Sequence, residues 1–153
     1  MATDGSSLIF TSVPASVSLE PADRKALRHF AKELSRRVGE GRGFCCLLTG
    51  DDELRRLNRQ FLNHDYATDV LSFPTANPRV SLGELAISLE RARAQSQQHG
   101  HALLDEVRIL MLHGVLHLAG FDHERDRGEM ARAERNLRKE FGLPNGLIAR
   151  ARK

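Results

Sequence analysis

The sequence predicts an α+β fold, an α/β sandwich in which helices pack on a single sheet. Short apolar runs and longer amphipathic segments follow one another along the 153-residue chain, a pattern that suits about four strands and about five helices. A chain of this length can bury an ordinary hydrophobic core. One segment, residues 102–119, is apolar on several faces, which indicates a buried central helix.

The chain begins with apolar pieces in residues 7–18 that suit an edge strand interrupted at Pro14. A helix is expected to begin at Pro21, because proline fits the first helical position. Apolar residues then recur at helical spacing until Gly39, which predicts the end of this helix.

Three short apolar runs in the middle of the chain predict strands, with a helix after the first run and another after the last. Asp51 or Asp52 is placed to cap the first of these helices. Ser88 is placed to cap the second, which is expected to end at Gly100. The strands are predicted at residues 43–49, 69–74 and 82–88.

Two helices are expected in the last third of the chain. The apolar helix at residues 102–119 is followed by an amphipathic pattern at residues 126–141. Gly142 and Pro144 then act as stop signals, because glycine ends helices readily and proline does not continue them.

Size and composition favour a soluble cytoplasmic protein of one domain, residues 1–153, with loose ends at residues 1–6 and 148–153. The first residues lack the basic and apolar stretches of a signal peptide, and the longest apolar stretch is too short to span a bilayer. Cys45 and Cys46 are neighbours on a predicted strand and point to opposite faces. We therefore expect neither a shared metal ion nor a disulfide framework.

Three histidines in the segment 113–123 predict a metal site. His113 and His117 are four residues apart, so on a helix their side chains project from one face. Gly120 can end the helix in a left-handed conformation, and the turn that follows can bring His123 toward the first two. A lone histidine is more often satisfied within a core. Three neutral imidazoles with one open position, however, are the ligand set of a catalytic zinc ion, one per chain.

The same spacing occurs in the metzincin zinc peptidases, in which a glutamate directly after the first histidine is the general base. Gly114 stands at that position here, so the sequence disfavours a peptidase. A glycine inside a helix costs about 1 kcal/mol relative to alanine. It indicates either a close approach of a substrate or strand near the metal, or tight helix packing without catalytic meaning.

Charge is compatible with RNA as a partner. The chain carries 23 Lys and Arg against 20 Asp and Glu, with basic clusters at residues 24–37 and 55–59. Such a surface suits a polyanion, although a solvated helix face explains the clusters equally well. With no Trp, one Tyr and seven Phe, an aromatic platform for sequence-specific base recognition is not expected.

Four blocks of sequence, in one order over roughly residues 45–145, resemble the YbeY family of bacterial ribosomal-RNA maturation factors and endoribonucleases. The blocks are Leu-His-Gly-Val-Leu-His-Leu-Ala-Gly-Phe-Asp-His at residues 112–123, Thr-Asp-Val-Leu-Ser-Phe-Pro at residues 68–74, Leu-Gly-Glu-Leu-Ala-Ile-Ser at residues 82–88, and the closing pattern Met130, Glu134, Gly142 and Leu143.

The resemblance implies a zinc-dependent hydrolase and carries the metal-ligand role to His113, His117 and His123. It implies a mixed sheet of four strands and endonucleolytic cleavage of single-stranded RNA. It also implies a role in maturation of the 3′ end of small-subunit ribosomal RNA and in ribosome quality control. Neither a membrane nor DNA is an expected partner.

The chain departs from the family pattern at one position of functional interest. Where the family usually has an arginine thought to contact RNA, this chain has Leu62. Arg59 and Arg55 lie three and seven residues earlier, near the same helix face, so either is a candidate to replace the missing cation. Ala67 and Glu84 replace the family's usual proline and aspartate, which are milder changes.

Two acids are candidates for supporting roles. Asp69, together with Thr68 and Ser72, either makes ordinary turn contacts or hydrogen-bonds a ligating imidazole and holds its tautomer. Asp122 stands just before the third histidine and either caps the turn or accepts a proton as the general base. The sequence assigns no catalytic residue.

Three functions are compatible with these patterns. A metal-dependent endoribonuclease of ribosomal RNA maturation is favoured. A zinc-structured ribosome-assembly or RNA-binding factor with little turnover is the alternative, supported by Gly114 and Leu62. A metallopeptidase ranks third, because the general base on the helix is missing.

Overall fold

Four strands and five helices make up the described part of the chain, residues 6–64 and 68–148 of a computed structural model. The expected α+β fold with a mixed four-stranded sheet is confirmed. In chain order the elements are β1 (Ser7–Phe10), α1 (Pro21–Arg37), β2 (Gly43–Thr49), α2 (Asp51–Leu62), β3 (Val70–Pro74), β4 (Ser81–Ser88), α3 (Leu89–His99), α4 (Leu103–Leu118) and α5 (Glu129–Glu140).

The strand order in the sheet is β1-β2-β4-β3, with β3 antiparallel to β4 and the other neighbours parallel. Parallel neighbours need a crossover connection, which α1 supplies between β1 and β2. β3 and β4 follow each other directly, so a short connection joins them as an antiparallel pair at one edge. β4 therefore lies inside the sheet.

The two faces of the sheet bury different cores. On one face, strand residues such as Phe44 and Ile87 pack with α1 and α4 in the main cluster. On the other face, α2 places Leu54 against β3 and β4 in a much smaller cluster. Most of α4 is buried, as expected for the central helix. Within the described ranges, no helix has the length and apolar character needed to cross a membrane.

Two elements are shorter than the sequence predicts. β1 ends at Phe10, because Ser12 has a φ of 47°, which an extended strand does not allow. α5 begins at Glu129 because the carboxylate of Asp126 accepts the backbone N–H groups of Gly128 and Met130, each at 2.9 Å. Asp126 therefore caps this helix from outside.

The boundaries of the two loose ends also need correction. The backbone N–H of Phe44 donates to Ser6 Oγ at 3.2 Å. Ile148 is buried in the main cluster. Both residues belong to the packed structure, while residues 1–5 and 149–153 lie outside the described ranges.

Candidate metal centre

The three histidines converge at the C-terminal end of α4. His113 and His117 lie one turn apart on this helix. Gly120 then has a φ of 103°, a conformation in which glycine reverses the chain direction without steric cost. The reversal brings His123 back, so that one ring nitrogen from each of the three histidines lies within 4.8 Å of the others.

Hydrogen bonds determine which nitrogen is free in the two helical histidines. His113 Nδ1 lies 3.0 Å from Glu134 Oε2, and His117 Nδ1 lies 3.2 Å from the backbone oxygen of Phe121. Carboxylate and carbonyl oxygens accept hydrogen bonds, so Nδ1 is the protonated donor in both rings. In the neutral imidazoles each Nε2 is therefore an unprotonated nitrogen with a lone pair.

These two free nitrogens face each other. His113 Nε2 and His117 Nε2 are 3.2 Å apart, although neither ring has a proton there to share. Two lone pairs at this distance repel each other unless a positive charge lies near both. Two nitrogens bound to one tetrahedral zinc ion at about 2.0–2.1 Å would be about 3.3 Å apart. The pair of rings therefore fits a metal ion.

His123 offers a third nitrogen. Its Nδ1 is buried and has no hydrogen-bond partner among the described residues, which is unfavourable for a buried polar atom unless something binds it. The ring centroid lies 5.8 Å from that of His113 and 5.6 Å from that of His117. Three imidazole nitrogens suit zinc, and they also accept nickel, copper or iron.

The surroundings of His117 favour its neutral form. Burial lowers the pKa of this imidazole below its usual value, and repulsion from His113 and His123 acts in the same direction. The Phe121 carbonyl and the Asp122 carboxylate oppose this effect but do not overcome it. Because a metal binds only the deprotonated nitrogen, a lowered pKa favours metal binding near neutral pH.

The residue that orients His113 is Glu134 on α5. Of the two roles predicted for Asp69, the structure has the local contacts and not the hydrogen bond to a ligating imidazole. The Asp69 carboxylate accepts from the backbone N–H of Val70 at 2.8 Å and from Gln95 Nε2 at 3.2 Å. It therefore holds the start of β3 against α3. Glu134 is 3% exposed, and its hydrogen bond to Nδ1 holds the tautomer and the orientation of the His113 ring.

The sequence carries a signal for burial of Glu134, although the closing family pattern assigns this residue no role. The residue lies four positions after Met130, on the buried face of α5. Acids are almost never buried unless they are paired. A glutamate on the apolar stripe of a predicted helix therefore calls for a partner, but the pattern does not show that this partner is His113.

Asp122 caps the turn that carries His123. Its Oδ1 accepts from the backbone N–H of Glu124 at 3.1 Å, and its backbone oxygen accepts from Arg125 at 3.1 Å and from Asp126 at 2.9 Å. The first of the two roles expected for Asp122 is thus present. Its side chain is 48% exposed, so it is also accessible from solvent.

Gly114 faces the sheet. A Cβ at this position would lie 2.7 Å from Leu85 Cδ2 and 3.3 Å from Val70 Cγ2, and Ser72 Oγ donates to the Gly114 backbone oxygen at 3.3 Å. The glycine therefore allows α4 to approach β3 and β4 closely. A glutamate has no room where the metzincin peptidases place their general base.

The basic residues proposed to replace the family arginine lie on the solvent side of α2. Arg55 and Arg59 are both exposed, and Leu62 is 43% exposed. Glu84 is exposed on β4, while Ala67 falls outside the described residues.

Fold and site together define an α+β protein with a candidate metal centre of three imidazoles on a buried helix. The chain belongs to the YbeY endoribonuclease family, because the model of the family described as Endoribonuclease YbeY matches residues 16–142. The name of this family identifies its activity as that of an endoribonuclease, a hydrolase whose substrate is RNA.

Similar proteins agree with this assignment. The chain is 54% identical over 147 residues to the Endoribonuclease YbeY of Solibacter usitatus, covering 96% of this chain and 95% of the relative. It is 50% identical over 105 residues to that of Nautilia profundicola, covering 68% and 76%. The solution structure of TM1509 from Thermotoga maritima is similar in fold, with a TM-score of 0.57 and 26% identity over 85% of each chain.

Proposed function

We propose that this chain is a zinc-dependent endoribonuclease specific for single-stranded RNA. In this proposal it acts in the cytoplasm, in maturation of the 3′ end of small-subunit ribosomal RNA and in ribosome quality control. The observation that carries the metal dependence is the pair of free Nε2 atoms of His113 and His117, 3.2 Å apart. Family membership supports RNA as the substrate.

Three neutral imidazoles, those of His113, His117 and His123, would hold one zinc ion per chain. Such an ion supplies Lewis acidity toward a phosphoryl oxygen and lowers the pKa of water. Glu134 and the Phe121 carbonyl orient two of the rings, so the nitrogen donors are already directed at the same point. In this proposal residues 1–153 form a single hydrolase domain.

RNA binding and proton transfer involve residues outside the three ligands. Arg55 or Arg59 contacts a phosphate from the exposed side of α2 and so replaces the arginine that the family usually has at position 62. Asp122 is the candidate proton acceptor, because it directly precedes His123 in the chain and its carboxylate is half exposed.

RNA cleavage by the zinc-loaded protein tests this proposal. We expect single-stranded RNA to be cut, with duplex RNA and single-stranded DNA as substrate controls. His117→Ala, purified identically, should lose the activity, whereas His29→Ala, which removes an exposed histidine on α1, should retain it. Equal cleavage by wild type and His117→Ala would indicate a contaminating nuclease and contradict the proposal.

The alternative function is a zinc-structured ribosome-assembly factor with little turnover, which Leu62 favours. Under this alternative the wild-type protein binds zinc and RNA but does not cut RNA above the level of His117→Ala. The peptidase is disfavoured further, because Leu85 occupies the space that a general base at position 114 would need.

A further inference from the structure

The carboxylate of Glu134 is held from two sides. Its Oε2 accepts from His113 Nδ1 at 3.0 Å, and its Oε1 accepts from the backbone N–H of Ile148 at 3.1 Å. Glu134 is 3% exposed and Ile148 is 5% exposed, so water competes little with either bond. The side chain that orients a candidate metal ligand is therefore itself held by residue 148.

Gly146 allows this close approach. A Cβ at position 146 would lie 2.5 Å from Glu134 Cδ and 2.9 Å from Glu134 Cγ, and it would overlap Oε1. The backbone of Gly146 is not in the left-handed region. An alanine there would therefore clash with Glu134 but would cause no backbone strain. To relieve this clash, the end of the Glu134 side chain would have to move.

Residues 143–148, which we call the C-terminal segment, are anchored at both ends. The backbone N–H of Leu143 donates to the Arg138 backbone oxygen at 2.8 Å, and Arg138 Nη1 donates to the Leu143 backbone oxygen at 3.1 Å. Leu143 and Ile148 are both buried in the main cluster. The segment thus starts at the end of α5 and returns to Glu134 in the middle of that helix.

The geometry calls for a carboxylate at position 134. Two separate N–H groups, one from His113 and one from Ile148, point at two different oxygens. A glutamine has a single acceptor oxygen, and its NH2 group would face the other N–H. Glutamate is the side chain of this length that accepts both bonds.

We propose that the C-terminal segment is a positioning element of the metal centre. By holding the Glu134 carboxylate against His113, it maintains the Nδ1–H tautomer and the orientation of this ligand, and so tightens zinc binding. The inference rests on the proposed metal centre, and it is independent of whether the chain cuts RNA.

Zinc affinity of the full-length chain tests the proposal, measured by competition with a chelating dye, together with thermal unfolding of the metal-free protein. Gly146→Ala should weaken zinc binding about tenfold or more, the range seen when the outer hydrogen-bond partner of a metal-bound histidine is lost. Glu134→Gln should weaken binding to a similar extent.

A pair of variants at position 148 separates the hydrogen bond from packing. Ile148→Pro removes the N–H donor, while Ile148→Ala keeps this donor and removes only the buried side chain. Proline is tolerated in the first turn of a helix, and residues 147 and 148 are the first helical residues after the loop at residues 143–146. Both variants should lower the melting temperature, but only Ile148→Pro should lower zinc affinity about tenfold.

Three results would overturn the proposal: wild-type affinity in Gly146→Ala, wild-type affinity in Glu134→Gln, or equal losses in Ile148→Ala and Ile148→Pro. If Ile148→Pro does not fold, the first two comparisons still decide. Absence of zinc binding by the wild type would refute the metal centre itself. Zinc binding without RNA cleavage would refute only the proposed activity.

Discussion

The candidate ligands come from two regions that hold their side chains in different ways. His113 and His117 belong to α4, which packs against the sheet and other helices. Both rings donate Nδ1–H to an acceptor, Glu134 in one case and the Phe121 carbonyl in the other. Two of the three nitrogen donors are therefore oriented by the protein alone.

His123 belongs to the turn at residues 119–128, which is held mainly by short-range hydrogen bonds. Asp122 and Asp126 each accept backbone N–H groups from residues two to four positions ahead. The Nδ1 of His123, in contrast, has no partner among the described residues. The helix therefore carries a preorganised pair of ligands, whereas metal binding itself would orient the third.

The largest expected effect follows from this difference. His113→Ala/His117→Ala should abolish zinc binding, from one equivalent per chain to none, because it removes the preorganised pair. His123→Ala should bind zinc more weakly than wild type but more strongly than the double variant. Elemental analysis after dialysis and titration against a chelator measure both. Retention of metal by the double variant, or equal losses in the two variants, would contradict the comparison.

Substitutions outside the ligands should also show that α4 and the turn at residues 119–128 differ in how tightly they are packed. Gly114→Ala places a Cβ 2.7 Å from Leu85 Cδ2. Overpacking of this kind costs about 1–3 kcal/mol, and the higher helix propensity of alanine offsets about 1 kcal/mol of that cost. Glu124→Ala, on the exposed side of the turn, should change the free energy of unfolding by less than about 0.5 kcal/mol. Urea unfolding of the metal-free proteins checks both values. A Gly114→Ala variant more stable than wild type would show that α4 is not tightly packed there.

A pH series tests the neutral state of His117. Its pKa is lowered in the folded protein, so the folded state binds fewer protons than the unfolded state between that pKa and about 6.5. The free energy of unfolding of the metal-free protein should therefore rise with pH through this window and level off above it. His117→Ala should show a smaller slope there, and an unchanged slope would contradict the assignment.

The smallest expected effect concerns RNA binding by α2. Arg55→Ala or Arg59→Ala should weaken binding to many single-stranded RNAs alike and flatten the dependence of log affinity on log salt by about 1 unit of slope. Arg56→Ala is the matched control, because Arg56 is exposed on the same helix and pairs with Glu53. If neither variant changes the slope more than this control, Leu62 marks a loss of the family's RNA contact.

Local patterns were sufficient to predict that the three histidine side chains lie close together. The four-residue spacing of His113 and His117 and the helix stop at Gly120 are properties of neighbouring residues, and the turn that returns His123 follows from them. The same holds for the helix cap at Ser88, which accepts from the backbone N–H of Arg91 at 3.2 Å.

The contacts between distant elements could not be predicted in this way. Glu134 is 21 residues from His113, and the two meet only because α5 packs across α4. The two explanations of Gly114 are distinguished only by Leu85 and Val70 on neighbouring strands. The sequence predicts a loose end from residue 148 onward, whereas burial of the Ile148 side chain in the main cluster holds this residue in place.

X-ray absorption at the zinc edge, on the full-length chain with one equivalent of zinc, tests whether His113, His117 and His123 bind one zinc ion together. We expect three imidazole nitrogens at about 2.0–2.1 Å and one further light atom, with the outer-shell scattering typical of histidine rings. His117→Ala should reduce the imidazole count by one. A sulfur scatterer at about 2.3 Å, which would implicate Cys45 or Cys46, or a coordination shell with fewer than three imidazoles in the wild type, would contradict it.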